Sequence, residues 1–124
     1  VKRDEALKLF GFNKFESKCL IHLLKHGESM AREIERATGL RQPEVSMGLT
    51  SLNKKGFVDF KKLKGKKRGR PKQIYYMKMS NDKFIEYLKK DAEKKKKEID
   101  RALSIVLGYL EKAKKKGKEG KEGA

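Results

Sequence analysis

Three segments with helical spacing of apolar residues are each closed by a glycine, and this pattern limits the possible folds more than any other feature of the chain. From Phe12 to His26 the residues Phe12, Phe15, Cys19, Leu20, Leu23 and Leu24 recur at steps of three and four, and Gly27 supplies a stop. Ser29 is placed to cap a second helix, Met30 to Thr38, in which Ile34 and Ala37 face inward and Gly39 ends the run. After Leu40-Arg41-Gln42, Pro43 suits a first helical position, and Val45, Leu49 and Leu52 form an apolar stripe that runs until Gly56. Two short helices joined by about four residues with a glycine in the turn predict a helix-turn-helix.

The segments after Gly56 extend that unit. Phe57-Val58-Asp59-Phe60 and Ile74-Tyr75-Tyr76-Met77-Lys78-Met79 are rich in aromatic and branched residues and predict two strands around a glycine-containing basic block. Three helices, a strand, a basic loop and a strand make a winged helix over residues 1–80. Ser80 or Asn81 then caps a long helix over 81–116, and the tail 117–124, with no apolar residue larger than alanine, is expected to be disordered. The fold class expected is mainly α with a small β-hairpin wing: a winged helix-turn-helix domain followed by a long C-terminal dimerisation helix. In that helix Ile85, Ala92, Ile99 and Val106 occupy one heptad position and Leu88 a second, with Leu103 and Leu110 beside them, while Glu93 to Glu98 is almost wholly charged. A helix of ~35 residues reaches ~50 Å, more than one small domain needs to cover its own core. The expectation is a coiled coil with a second copy, a homodimer, rather than a solvated helix folding back.

Charge sharpens the partner. The chain has 34 Lys and Arg against 17 Asp and Glu, a formal +17. Residues 1–60 are nearly balanced at +3 and residues 81–124 carry +5, whereas residues 61–80 hold nine basic side chains and no acidic one. A block this concentrated attracts a polyanion, and neutralising nucleic-acid phosphates releases condensed counterions. A membrane surface would instead favour an amphipathic basic helix with apolar anchors. The expected partner is double-stranded DNA, not membrane. No apolar run approaches the ~18 residues of a membrane span, and Val1-Lys2-Arg3-Asp4-Glu5 lacks the apolar stretch of a signal peptide, so a soluble, cytoplasmic, nucleoid-associated protein is expected.

Catalytic and metal chemistry find little footing. No glycine-rich loop joins a strand to a helix, no Walker lysine motif occurs, and the two histidines have no Ser or Asp at motif spacing, so no enzyme is expected. The single cysteine, Cys19, cannot form an internal disulfide. Cys19, His22 and His26 align along one helix, but three ligands from one helix rarely converge. Cys19 lies on the apolar face, and a histidine in the last turn favours the helix C-terminus without a metal. Neither metal nor other cofactor is expected, and no effector ligand is indicated.

At 100° per residue the third helix turns Met47, Thr50 and Lys54 away from Val45, Leu49 and Leu52, with Ser46 and Ser51 on the flanks. The N-terminal part of such a helix reaches base edges in the major groove, which nominates Arg41, Gln42, Ser46, Met47 and Thr50. Arg41 suits guanine, Gln42 adenine and Met47 a thymine methyl, while Ser46 and Lys54 suit phosphates and Glu44 the helix N-terminus. In the wing, Lys64, Lys66, Lys67, Arg68, Arg70 and Lys72 are the candidate contacts. Arg68-Gly69-Arg70-Pro71 resembles the core of the AT-hook, with Lys67 in place of its leading proline, and fits a narrow A·T-rich minor groove.

Over roughly residues 10–79 the chain resembles winged-helix transcriptional regulators of archaeal type, similar to the DNA-binding domains of the TrmB, MarR and ArsR families. Phe15-Glu16-Ser17-Lys18 and Leu23-Leu24-Lys25-His26-Gly27 are TrmB-like. Leu40-Arg41-Gln42-Pro43-Glu44-Val45-Ser46 with Leu49, Leu52 and Lys55-Gly56-Phe57-Val58 looks like the ArsR recognition helix and its exit, where the positions of Gln42, Ser46 and Met47 face DNA. A basic residue is common where this chain has Met47, and the ArsR metal-binding cysteines have no counterpart here. The resemblance implies DNA binding and dimerisation and supplies no effector. A homodimeric, sequence-specific transcription regulator is therefore expected; the alternative is a low-specificity architectural, chromatin-type DNA-binding protein.

Overall fold

The computed structural model describes residues 2–63 and 72–120, with side chains to residue 114. Its elements are α1 (Arg3–Lys8), α2 (Lys14–His26), α3 (Ala31–Thr38), α4 (Gln42–Lys54), β1 (Val58–Leu63), β2 (Lys72–Met77) and α5 (Asn81–Gly120). Two compact units, Val1–Glu86 and Tyr87–Ala124, divide within α5. The first is a winged helix: mostly helical, with a two-stranded antiparallel hairpin in which Val58 faces Met77 and Phe60 faces Tyr75.

Local chemistry explains the helix ends. Asn13 caps α2 through a reciprocal pair: its side chain accepts from the Glu16 N–H and the Glu16 carboxylate accepts from the Asn13 N–H, both at 2.8 Å. The helix therefore starts at Lys14 rather than at Phe12, which packs against Phe57 and Phe84 instead. Gly39 ends α3 in the left-handed region at φ +77°, and its N–H reaches the Glu35 carbonyl. Thr38 closes the turn, donating to the Ile34 carbonyl at 2.6 Å and accepting from the Leu40 N–H. Pro43 is the second residue of α4 rather than the first, because Gln42 already has helical geometry.

Ser29 does not cap α3. The Glu33 carboxylate takes the Met30 N–H at 2.8 Å, and Ser29 is drawn into the core. There its backbone forms an antiparallel bridge to Tyr75 of β2, and its hydroxyl lies 3.0 Å from His22 Nε2. Ser80, by contrast, accepts from the Lys83 N–H and caps α5.

The core of the first unit joins Leu20, Leu23, Ile34, Val45, Leu49 and Leu52, all essentially inaccessible to water, to an aromatic cluster at its edge. Phe12 meets Phe57 edge-on at 5.1 Å, and Phe57 meets Phe84 at 5.8 Å. Phe84 thus inserts the first turn of α5 into the core. Gly48 sets the approach of α2 to α4: a Cβ there would lie 3.0 Å from the Phe15 carbonyl oxygen and 3.1 Å from Cys19 Sγ.

The second unit is the remainder of α5. At 40 residues the helix has a rise of about 60 Å, and it continues to Gly120, four residues beyond the expected end. Its charged middle is threaded by the pairs Lys95–Asp91 and Lys96–Glu93. Among the described residues no helix is long and apolar enough to cross a membrane.

Candidate nucleic-acid interface

The two sides of α4 have opposite fates. Val45, Gly48, Leu49 and Leu52 are buried, whereas Arg41, Gln42, Ser46, Met47, Thr50 and Lys54 are all exposed, Met47 at 55%. Ser46, Met47, Thr50 and Lys54, with the edge of Ser51, line a shallow concavity of about 300 Å³.

The outward row is held by an inward anchor. Glu16 of α2 is fully buried, and its carboxylate accepts from the Ser51 hydroxyl of α4 and from Lys55 Nζ at 3.0 Å, besides closing the Asn13 cap. Lys55 also donates to the Gly11 carbonyl and lies over the Phe12 ring, 5.5 Å from its centroid. Burial alone would push the Glu16 pKa up. The hydrogen bonds from Ser51, the Asn13 backbone and Lys55, with the Lys55 charge, outweigh it and hold the pKa below the ordinary carboxylate value. Ser51 therefore faces α2 and is not part of the outward row. At the other end the Glu44 carboxylate accepts from the Arg41 N–H at 2.8 Å, which fixes the helix start and the backbone that carries Arg41 and Gln42.

Of the wing residues, Lys64, Lys66, Lys67, Arg68 and Arg70 lie outside the described residues, while Lys72 opens β2 and is exposed. The hairpin pairs Lys72 with Leu63 and Lys62 with Gln73, and Lys62 and Lys72 both line a concavity of about 590 Å³ with Arg32, Met30 and Ala31 at the start of α3 and with Gln73 and Tyr75. Sequence reasoning did not single out Arg32 and Lys62. The available signal was the position of Arg32 in the first turn of the leading helix-turn-helix helix, where backbone N–H groups favour an anion. Lys61, one residue away, is occupied differently, pairing with Glu28 at 3.1 Å.

The proposed dimerisation residues divide between the units. In the first, Ile85 is 47% exposed. In the second, Leu88 and Ala92 are half-buried, and Ile99, Leu103, Val106 and Leu110 are each more than half exposed. Ile105, Leu107 and Tyr109 are exposed as well, so the apolar band between 99 and 110 is wider than the heptad seam alone.

Cys19 is buried against Gly48, and burial, then the Glu16 charge, pushes its thiol pKa up to about 12, so it stays protonated. His22 lies beside Ser29, and among the described residues no group of three or more His, Cys, Asp or Glu is placed to hold a metal ion.

Comparison with known proteins agrees with this geometry. Residues 7–80 match the family model described as sugar-specific transcriptional regulator TrmB. The HTH-type sugar sensing transcriptional regulator TrmBL1 of Pyrococcus furiosus is 38% identical over 55 residues, which are 44% of this chain and 16% of that relative. Two solved structures share the fold. Overoxidized AbfR bound to DNA has a TM-score of 0.56 at 19% identity, covering 87% of this chain and 80% of that one. TrmBL2, described as an archaeal chromatin protein with a novel mode of DNA binding, has a TM-score of 0.50 at 20% identity, covering 90% of this chain and 41% of that one. Because the family match takes in the helices α2 to α4 and the hairpin together and spans more than half of the sequence, the chain belongs to the TrmB family of DNA-binding transcriptional regulators.

Proposed function

We propose that the protein is a homodimeric, sequence-specific regulator that lays α4 in the major groove and its basic wing against the adjacent minor groove and phosphates. The observation that carries this reading is the division of α4: every apolar residue of its stripe is locked inside, and the outward row is exposed and rich in groups that read bases. Arg41 donates to guanine, Gln42 pairs with adenine, Met47 lies on a thymine methyl, and Thr50 follows along the groove. Ser46 and Lys54 take phosphates, as do Arg32, Lys62 and Lys72 at the hairpin base. Arg68 and Arg70 reach the minor groove where it is narrow. The exposed band of α5 pairs with a second copy, which places two α4 helices on half-sites ~34 Å apart.

The second reading is an architectural protein that coats DNA with little preference. It draws on the nine basic residues between 61 and 80 and on the chromatin role given for the structural relative TrmBL2. Selection of bound sequences from a random DNA pool, followed by competition against bulk DNA, decides between them. The regulator reading requires a preference of about 10³-fold or more for the selected site, and little preference would establish the architectural one.

A further inference from the structure

A groove on α2 concentrates positive charge away from the reading helix. On α2, Glu16, Cys19, Leu20 and Leu23 share the face that packs toward α4, with Glu16 joined to Ser51 and Cys19 against Gly48. At 100° per residue Lys18, Ile21, His22 and Lys25 lie on the opposite face. There they line a concavity of about 590 Å³, walled by Lys2 and Arg3 at the start of α1 and by Thr38 at the end of α3. Lys2, Arg3, Lys18 and Lys25 meet one carboxylate, Asp4, and none of these five side chains is in an ion pair among the described residues. Holding four like charges around one cavity is unfavourable until a counter-charge enters.

His22 lines the same cavity. Its ring is nine-tenths buried, and Nε2 lies 3.0 Å from Ser29 Oγ. Ser29 spends its only hydroxyl proton on the Gly27 carbonyl, so Oγ must accept from His22 and Nε2 carries the hydrogen. The other ring nitrogen has no hydrogen-bond partner among the described residues. Protonated, it becomes a donor to an anion in the groove.

We propose that this groove binds a small phosphate-bearing ligand, a phosphate monoester or diphosphate, with Lys18, Lys25, Lys2 and Arg3 neutralising the charge and His22 donating a hydrogen bond. The cavity volume lies in the range of small-molecule sites. The groove lies on the face of α2 turned away from α4, and the outward row lies on the face of α4 turned away from α2, so the ligand is a free molecule rather than a backbone phosphate of a duplex seated on that row.

The test is calorimetric titration of the full chain with pyrophosphate. A saturable single site is expected, and Lys18→Ala with Lys25→Ala should weaken it at least about tenfold. Lys62→Ala with Lys72→Ala should leave it unchanged, as should saturation with duplex DNA. In the same titration the His22 imidazole resonances should move toward their protonated positions. The charges of His26 on α2 and Glu33 on α3 act on the ring, Lys2, Arg3, Asp4, Lys18 and Lys25 line the groove with it, and an added dianion favours the imidazolium among them. If the Lys18/Lys25 variant does not fold, Lys25→Glu at an exposed position repeats the comparison. Binding that is unaffected by these changes, that is lost in the Lys62/Lys72 variant, or that is displaced by DNA would overturn the proposal and assign the anion to the wing or the DNA face.

Discussion

The apolar stripe of α4 and the apolar band of α5 are built from the same residue types and meet opposite surroundings. Val45, Leu49 and Leu52 are removed from water by α2, α3 and the hairpin, whereas Ile99, Leu103, Val106 and Leu110 remain half or more exposed. The stripe completes the core of the first unit. Among the described residues the band has no neighbour within its unit, and a contiguous exposed apolar surface of this kind marks an interaction face. On the proposed function labour is divided accordingly: the first unit would present a reading surface, and the second would set how many such surfaces act together.

The largest expected effect comes from breaking the band. Replacing Leu103 and Val106 with Asp places two carboxylates in the pairing face and should weaken self-association by about a thousandfold or more, or ~4 kcal/mol. Sedimentation equilibrium measures the shift, while hydrogen exchange of the α2 and α4 amides stays unchanged. Breaking the stripe acts within the domain instead. Leu49→Ala should cost ~2–5 kcal/mol of unfolding free energy, and Gly48→Ala ~1–3 kcal/mol, because the added methyl meets the Phe15 carbonyl, which cannot swing aside. Chemical denaturation separates these from the band variants, which leave the domain intact.

The Glu16 anchor is the polar counterpart of the stripe. Glu16→Gln should destabilise by about 2 kcal/mol, since Lys55 and Ser51 lose their charged acceptor. Its folded pKa is depressed, so the stability it contributes is present above the ordinary carboxylate pKa and is lost as pH falls through the lowered folded value. His22 works in a higher window. Burial, then the His26 charge, lowers its pKa against the opposing pull of Glu33. Its contribution is complete above its ordinary pKa near 6.5 and declines as pH falls from there toward the lowered folded value. Thermal melting from pH 8 to pH 3 should show both declines in wild type, only the upper one in Glu16→Gln, and only the lower one in His22→Gln.

The smallest effect on stability falls on the outward row of α4. Gln42→Ala should leave the melting temperature within about 2 °C and cost ~1–3 kcal/mol of discrimination at one base pair, measured by competition between matched and mismatched duplexes.

Much of this architecture is legible in the sequence. The glycine stops, the stripe of α4 and the strand–loop–strand pattern each rest on local periodicity, and the outward row of α4 comes with its stripe. What escapes is non-local or too short. A helix of six residues such as α1, with Leu7 as its one buried residue, carries no measurable period. Gly48 reads as a weak point inside α4 until α2 is seen to pass against it. Phe84 reads as one more apolar residue on α5, although it belongs to the first core with Phe12 and Phe57. Ser29 has the composition of a cap, but the bridge to Tyr75 satisfies its backbone and the Glu33 carboxylate does the capping. Arg32 and Lys62 are separated by thirty positions in sequence and line one concavity because β2 runs beside α3 and carries its partner strand β1 with it.

A quantitative footprint of the full chain on its selected DNA, with binding stoichiometry read in the same titration, bears most directly on the proposed division between a reading unit and a pairing unit. Two chains per site are expected, with two protected half-sites about 10–10.5 base pairs apart, centre to centre, or a multiple of that spacing. One chain on a single protected element, or uniform protection without a repeat, would contradict it.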